Sequence, residues 1–281
     1  MIFEISHYSN YQFDSPVFLE PQTLRFKPKT NHLQKLVSFD LDIQPQPVNL
    51  SEQIDLEGTQ SHFCWFEGLH SQLIVSSHCK MEVPHFNPYD FVVYPDEFTQ
   101  LGFKYPENIY SIISPNLEPI SSTPQLKLFT QEIIQSSSGQ TIKFVSELVQ
   151  RIYQLFKKTR RHSGKPHPPE QTIKEKKGSC RDLTVLAMAI CRNVGIASRF
   201  VSGYLYVPSA RGHELHAWFE VYIPGGGWKG FDSMIGLAVQ NNHIAVVTTA
   251  NPDHSVPITG SIRGSAKSKL TTKVQVKKLR R

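Results

Sequence analysis

The sequence feature that most constrains the fold is a capped amphipathic helix that begins at a cysteine. Ser179 is a favourable N-cap residue, and Asp182, three positions on, resembles a capping box with Asp in place of the usual Glu or Gln. Apolar residues then recur at spacings of three and four, which predicts one buried helix face: Leu183, Leu186, Ala187, Ile190 and Val194. Gly195 is a typical helix stop. Cys180 therefore falls in the first turn of a predicted helix.

This position favours a chemical role for Cys180 over a packing role. The first turn of a helix has free backbone N–H groups and the positive end of the helix dipole, so it favours an anion such as a thiolate. The same N–H groups can hold the oxyanion of an acyl-transfer intermediate. The alternative is a buried structural cysteine, but such cysteines usually occupy the apolar stripe of a helix. We therefore expect Cys180 to be a nucleophile.

Two later segments supply an imidazole and a carboxylate. Residues 216–222 are rich in β-branched and aromatic residues, which predicts a strand with His216 and Trp218 on one face. A glycine-rich turn follows, and a second short strand is predicted to end at Asp232. In an antiparallel hairpin, His216 faces Asp232 directly if the turn is centred on Pro224. Because the glycine run suggests a later centre, we expect an extra residue or a bulge.

Taken singly, each of these two residues has a simpler interpretation. One histidine among twelve is usually a hydrogen-bonded core or surface residue, and Asp232 alone reads as a turn residue. Because both follow the capped cysteine at spacings that a hairpin could join, a triad is the favoured interpretation. In that triad Asp232 fixes the tautomer of His216, and His216 takes the proton from Cys180.

Three separate blocks resemble one known family. They are Gly-Ser-Cys-Arg-Asp at 178–182, residues 195–204, and the segment from His216 to Asp232; the strand at 243–244 and the turn at 257–260 also fit. These blocks resemble the bacterial branch of the transglutaminase-like superfamily, often described as transglutaminase-like cysteine peptidases. The resemblance implies that Cys180 is the nucleophile, His216 the base and Asp232 the third member. The family usually follows its Asp with Pro-Thr, whereas Ser233-Met234 stand here.

The resemblance extends to the N-terminus and implies the domain order. Residues 11–28 resemble the β-rich domain that precedes the core in bacterial relatives, and residues 87–91 resemble the connecting segment. We expect an α+β protein with a papain/transglutaminase-like core, in which a nucleophile helix packs on an antiparallel sheet, preceded by a β-sandwich. The predicted divisions are an N-terminal β-sandwich domain, a connector and a transglutaminase-like catalytic domain, at 1–83, 84–125 and 126–281.

Local patterns place further elements along the chain. Short alternating runs broken by Pro, Asn and Gly in the first 83 residues predict an antiparallel sandwich. Helical spacing predicts a core helix, and weaker patterns predict two more helices and two strands. These predicted segments are helices at 107–113, 124–135 and 140–156 and strands at 198–207 and 243–248. The basic, proline-containing stretch 157–177 is predicted to be a loop that delivers the chain to Ser179.

The cysteines favour a reducing environment. The chain of 281 residues has four cysteines, Cys64, Cys79, Cys180 and Cys191, with no C-x-x-C pair. Cys180 and Cys191 lie about three helical turns apart, too far to form a disulfide. The opening residues do not resemble a signal peptide, and no run of about 18 apolar residues exists. A reduced, cytoplasmic setting is the simplest fit.

The net charge of +6 comes from the C-terminal end. Residues 267–281 carry seven basic residues and no acid, so the rest of the chain is near −1. Such a tail can contact nucleic acid or an anionic surface. An edge strand guarded by lysines is the favoured interpretation, because apolar residues alternate within the tail and no nucleic-acid motif accompanies it. No nucleic-acid or membrane partner is expected.

The favoured function is amide acyl transfer or hydrolysis on a peptide or protein substrate. Cys180 attacks a carboxamide or peptide carbonyl, His216 protonates the departing amine, and a thioester passes to water or to an amine. The first outcome is that of a peptidase or amidase, the second that of a transglutaminase, and both use the same triad. Arg181 and Trp218 are candidates for shaping the substrate cleft.

Two other function classes remain open from the sequence. One is a non-catalytic peptide-binding or scaffolding protein that retains the fold. The other is a metal-dependent hydrolase, but His213 and His216 lie three apart on a predicted loop-strand border and do not share a strand face. Zinc proteases place two histidines four apart on a helix. No metal and no cofactor is therefore expected.

Overall fold

The computed structural model describes residues 1–161, 164–208 and 213–279. The α-helices of this part are α1 (Glu107–Ile113), α2 (Pro124–Ser136), α3 (Thr141–Leu155), α4 (Pro169–Glu175) and α5 (Cys180–Asn193). The first eight strands are β1 (Ile2–Leu19), β2 (Gln22–Leu24), β3 (Lys35–Gln44), β4 (Asn49–Ile54), β5 (Gln60–Trp65), β6 (Leu69–Glu82), β7 (Lys157–Lys158) and β8 (Lys177–Gly178). The others are β9 (Ser198–Leu205), β10 (Leu215–Ile223), β11 (Gly227–Asp232), β12 (Leu237–Ala238), β13 (His243–Thr249), β14 (Ile258–Thr259), β15 (Ile262–Arg263) and β16 (Ser268–Leu279). None of the helices described is long and apolar enough to cross a membrane.

The N-terminal strands form two sheets around one apolar core. One sheet has the order β15-β1-β6-β3, with β16 also paired to β1, and the other has the order β14-β2-β5-β4. Leu19 and Val75 from the first sheet pack in the same buried cluster as Leu24 and Cys64 from the second. This arrangement buries one face of each sheet and explains the alternating pattern of the sequence. The predicted β-rich N-terminal region is confirmed.

The last three strands pair within the N-terminal sheets. β16 runs antiparallel to β1 from Ile2↔Leu279 to Phe13↔Ser268, and β14 pairs with β2. The sequence assigned these strands to the catalytic domain at 126–281, because an apolar alternation predicts a strand but does not name its partner. The expected edge strand is confirmed, since β16 lies outside β1 with its lysines exposed. Arg280 and Arg281 lie outside the described residues.

A third antiparallel sheet carries the candidate site. Its strand order is β12-β11-β10-β9-β13, and α5 packs against β10 and β9. Leu183, Leu186 and Ile190 of α5 share one buried cluster with Phe219 and Val221 of β10. Helix α3, which the sequence predicted from its apolar stripe, packs against α5 in the same cluster. The expected core of a nucleophile helix on an antiparallel sheet is therefore confirmed.

The stretch 157–177 contains more order than a loop. Pro169 begins α4, and Lys176, with a φ of 48° in the left-handed region, ends it. Strands β7 and β8 then pair in parallel on either side of this segment. The prolines led to the loop prediction, but proline at the first helical position has no N–H to lose and favours helix initiation. The chain thus enters α5 through an ordered, hydrogen-bonded segment.

Gly203 of β9 lies where three parts of the site approach most closely. It pairs with His216 on one side and with Ala245 on the other. A Cβ atom built there would stand 2.1 Å from the carbonyl oxygen of Ile244 and 2.8 Å from the Trp218 ring. The spacing between β9, β13 and the buried indole therefore requires a residue without a side chain.

We predict that Gly203→Ala lowers the free energy of unfolding by about 3 kcal/mol, because neither a backbone carbonyl nor a buried indole can yield. Urea denaturation followed by circular dichroism measures this loss. Gly68→Ala is the matched control, since no atom lies within 4 Å of its added Cβ although its φ is 79°. Its expected cost is about 1 kcal/mol, from the left-handed backbone alone. Equal losses in the two variants would contradict the steric explanation.

Candidate active site

The structure brings Cys180, His216 and Asp232 together. Cys180 is the first residue of α5 and is partly exposed, whereas Asp232 ends β11 and is fully buried. His216 lies near the start of β10, with its Nε2 2.6 Å from Oδ2 of Asp232. The Cys180 side chain lies close enough to the imidazole to help to raise its pKa. Residues separated by 36 and 16 positions in the sequence thus meet where the helix start faces the sheet.

The hairpin reaches this geometry without a bulge. β10 and β11 pair in continuous register from Phe219↔Phe231 to Ile223↔Gly227, which centres the turn on position 225. Continued by one residue, this register sets Asp232 opposite Trp218, two positions from His216 on the same face. Diagonal neighbours of this kind are within reach of a long side chain. The expected extra residue or bulge is therefore wrong for this hairpin.

Hydrogen-bond chemistry fixes which nitrogen of His216 faces the thiol. An ionised carboxylate can only accept, so Nε2 carries the hydrogen that it donates to Asp232, and Nδ1 is left for the Cys180 sulfur. Burial alone would lower the pKa of His216, but the charge and hydrogen bond of Asp232, with those of Cys180, raise it to about 10. The site therefore favours the cationic form of the His216 imidazole.

Asp232 receives three hydrogen bonds. Besides His216, the Nε2 of His243 lies 3.1 Å from Oδ2, and the Met234 N–H donates to Oδ1 at 2.8 Å. Burial alone would raise the pKa of Asp232, but the charges and hydrogen bonds of the two histidines hold it well below its ordinary value. Ser233-Met234, which replace the Pro-Thr of the family pattern, still provide this N–H, because the donor is backbone.

A second buried carboxylate, Asp182, holds the start of α5. Its Oδ2 accepts the N–H and the hydroxyl of Ser179, at 2.8 and 2.7 Å. Its Oδ1 accepts Nη2 of Arg161 and the N–H of His167. Burial would raise the pKa of Asp182, but these hydrogen bonds and the Arg161 charge lower it. The predicted cap therefore also anchors the preceding segment beside the thiol.

The two residues proposed for the cleft lie in different surroundings. Arg181 donates from Nη1 to the Gly164 carbonyl and from Nη2 to the Arg161 carbonyl, so it helps to fix the segment before α4. Trp218 is only 1% exposed and stacks with His216 at 6.2 Å between ring centroids. The indole therefore packs against the imidazole and is too deeply buried to contact a substrate.

The other three cysteines differ from Cys180 in being buried. Burial raises the pKa of Cys64 to about 11 and that of Cys79 to about 12, and it raises the pKa of Cys191 further still. All four thiols are free. Buried, protonated thiols are poor nucleophiles, so the predicted packing role suits these three residues.

One group of potential metal ligands occurs among the described residues. His216, Asp232 and His243 place ligand atoms within 4.8 Å of one another. Ligand bonds of 2.0–2.1 Å in a tetrahedral zinc site would separate two ligand atoms by roughly 3.3 Å. The separation of 2.6 Å between His216 and Asp232 is too short for that and is typical of a charge-assisted hydrogen bond. The group is therefore built for hydrogen bonding.

Sequence comparisons identify both parts of the chain. Residues 128–233 match the transglutaminase-like superfamily, and residues 3–82 match the bacterial transglutaminase-like N-terminal region. The chain therefore belongs to the transglutaminase-like superfamily and carries the N-terminal region of its bacterial branch. Cys180, His216 and Asp232 all lie within the matched core, whereas His243 lies beyond it.

Similar proteins extend over nearly the whole chain. The uncharacterized protein ML0607 of Mycobacterium leprae is 20% identical in an alignment that covers 98% of this chain and 98% of the relative. The uncharacterized protein Rv2569c of Mycobacterium tuberculosis is 22% identical and covers 87% of this chain and 82% of its own. A crystal structure from Cytophaga hutchinsonii, described as a "putative cysteine protease", has a TM-score of 0.74 at 21% identity. It covers 100% of this chain and 91% of its own, and at this identity it shows the shared fold.

We predict that Asp182→Asn lowers the free energy of unfolding by about 2 kcal/mol, because the amide nitrogen cannot accept the hydrogen bonds that the carboxylate oxygens receive. Urea denaturation measures the loss. Asp253→Asn is the matched control, since Asp253 forms an exposed ion pair with Lys165 and its loss should cost less than about 1 kcal/mol. A cost at Asp182 no larger than at Asp253 would show that the cap contributes little.

Proposed function

We propose that the protein is a cysteine-dependent enzyme that cleaves or transfers amide acyl groups through a thioester. The observation that carries this proposal is the alignment of a helix-start thiol, an imidazole and a buried carboxylate in Cys180, His216 and Asp232. The superfamily and the fold shared with the Cytophaga hutchinsonii protein are consistent with it.

The first half-reaction forms the thioester. In the reactive state the proton of the thiol resides on Nδ1 of His216, and the Cys180 sulfur attacks the carbonyl carbon of a carboxamide or peptide bond. The N–H of Cys180, at the first helical position, has no carbonyl partner within the helix and can donate to the oxyanion. As the tetrahedral intermediate collapses, the C–N bond breaks and His216 gives its proton to the departing amine.

The second half-reaction releases the acyl group. Neutral His216 takes a proton from water or from an amine, and that acceptor attacks the thioester carbon and expels the Cys180 sulfur, which recovers its proton from His216. Water gives a peptidase or amidase, and an amine gives a transglutaminase. A peptide or protein amide is the proposed substrate class. Four free thiols suit a reducing compartment such as the cytoplasm.

We predict that iodoacetamide at pH 7 alkylates Cys180 at least ~10-fold faster than glutathione, because the start of a helix and a neighbouring imidazole both favour an anionic sulfur. Mass spectrometry of tryptic peptides measures the rate at each cysteine. His216→Ala should reduce the rate at Cys180 to that of glutathione, whereas His254→Ala, a control in an exposed turn, should leave it unchanged. A wild-type rate no higher than that of glutathione would favour the scaffolding alternative.

Two turnover assays distinguish water from an amine as the acyl acceptor. Fluorescent casein reports hydrolysis, and unlabelled casein with dansylcadaverine reports amine incorporation, each compared with Cys180→Ala. Hydroxylamine release of an acyl group from Cys180 identifies the thioester. Reactive Cys180 without either turnover would restrict the substrate to one unlike casein, whereas unreactive Cys180 would remove the enzymatic proposal.

We predict that the His216 imidazole stays cationic well above pH 6.5 and that Asp232→Asn makes it titrate at a lower pH. The carboxylate raises the pKa of His216 against burial, which lowers it, so removal of the negative charge leaves burial dominant. Histidine-selective NMR as a function of pH measures the midpoint, which is expected near 10 in the native protein. Asp253→Asn should not shift it. A native midpoint at or below 6.5 would contradict the ion pair.

A further inference from the structure

We infer that His243 is a positioning residue for the proposed triad. It fixes the orientation of the Asp232 carboxylate, and the carboxylate in turn orients His216. The inference goes beyond the three triad positions and rests on the proposed function. Its basis is a direct contact, since Nε2 of His243 lies 3.1 Å from the same oxygen, Oδ2, that accepts the hydrogen bond of His216.

The fold delivers this histidine from a separate strand. His243 begins β13, which the sheet order places on the far side of β9 from the β10–β11 hairpin. Its side chain is 1% exposed, and its ring packs edge-on against Trp218 at 5.2 Å between centroids. Trp218 in turn stacks with His216. The indole thus contacts both imidazoles that meet at Asp232.

Hydrogen bonding gives His243 a defined orientation. Its Nδ1 lies 3.3 Å from the Gln240 nitrogen, whose N–H it accepts when it carries no hydrogen, and 3.0 Å from Oδ1 of Asn242, to which it donates when it carries one. Because the ionised Asp232 can only accept, Nε2 of His243 carries a hydrogen. Each end of the ring therefore has its own partner, and a rotation of the ring would break contacts at both ends.

The consequence for Asp232 is a carboxylate held at both oxygens. The Met234 N–H binds Oδ1, and the two histidines bind Oδ2. The titratable groups that face Asp232 are His216 from β10 and His243 from β13, and Cys180 of α5 lies beyond His216. Without His243, Asp232 would retain only the hydrogen bonds from the Met234 N–H and from His216. On Oδ2, Asp232 would then be oriented only by His216, the residue whose orientation it has to determine.

The other buried histidines among the residues that the structure describes have no such contact. His62, on β5, faces Glu52, and His7, on β1, contacts Tyr204 and Ser9; neither has a hydrogen bond to a triad residue. They provide matched controls, because their replacement also removes a buried imidazole. His243 differs from them in donating to a proposed catalytic group.

The test measures Cys180 alkylation by iodoacetamide at pH 7 in native protein and in His243→Phe, His243→Leu and His243→Gln. Phe and Leu fill the space without a donor, whereas the amide of Gln can reach Asp232 in place of Nε2. We expect a decrease of about tenfold for Phe and Leu, the scale of one hydrogen bond to a charged group, and recovery of most of the rate for Gln. His62→Leu should not change the rate. Circular dichroism identifies the variants that fold.

A double-mutant cycle separates positioning from general destabilisation. In an Asp232→Asn background, His243→Phe should have little further effect, because the path through the carboxylate is already broken. Equal decreases in both backgrounds, or a Gln variant as slow as Phe and Leu, would overturn the inference. A native rate that depends on His216 but not on His243 would overturn the inference alone. A native rate independent of His216 would remove the proposed function and the inference together.

Discussion

The structure around the candidate site depends on one fully buried carboxylate. An ionised Asp232 without partners would be strongly destabilising in the protein interior. Three donors remove that cost, and they come from β10, from the turn after β11 and from β13. The same hydrogen bonds that make burial tolerable therefore fix three parts of the chain relative to one another, and the imidazole is oriented as a result.

A second buried carboxylate performs the corresponding task for the thiol. Asp182 accepts from Ser179 at the helix start and from Arg161 and His167 in the preceding segment. The apolar face of α5 packs on β10 and fixes the helix along its length. Two different buried carboxylates therefore position the two groups: Asp182 holds the helix start that carries the sulfur, and Asp232 holds the imidazole. Such separate support keeps the positions of the reacting groups independent of loop motion.

Sequence patterns predict those parts of the site whose geometry is local. A cap, a helical stripe and an alternating strand depend on neighbours a few positions away, so Cys180 at the helix start and His216 on a strand follow from periodicity. The register of the hairpin depends on which glycines form the turn, and for this reason the diagonal contact of His216 with Asp232 differs from the expected direct pairing. The pairing of β16 with β1 joins residues more than 250 positions apart. The contact of His243 with Asp232 joins residues 11 positions apart on strands that are not neighbours in the sheet. No local pattern encodes such partners.

The N-terminal region contributes to the site through the strand that carries His243. β13 is the last strand of its sheet, so its outer edge has N–H and C=O groups that need partners. Gln34 provides them from the N-terminal part of the chain, because its Oε1 accepts the Ala245 N–H and its Nε2 donates to the Ala245 carbonyl. The Lys29 N–H donates to the same carbonyl. Ile244 and Val246 pack with Phe3 and Ile5 in one cluster. The sandwich therefore covers the edge of β13 and limits the movement of its first residue. In this way a domain without a triad residue bears on the orientation of the triad.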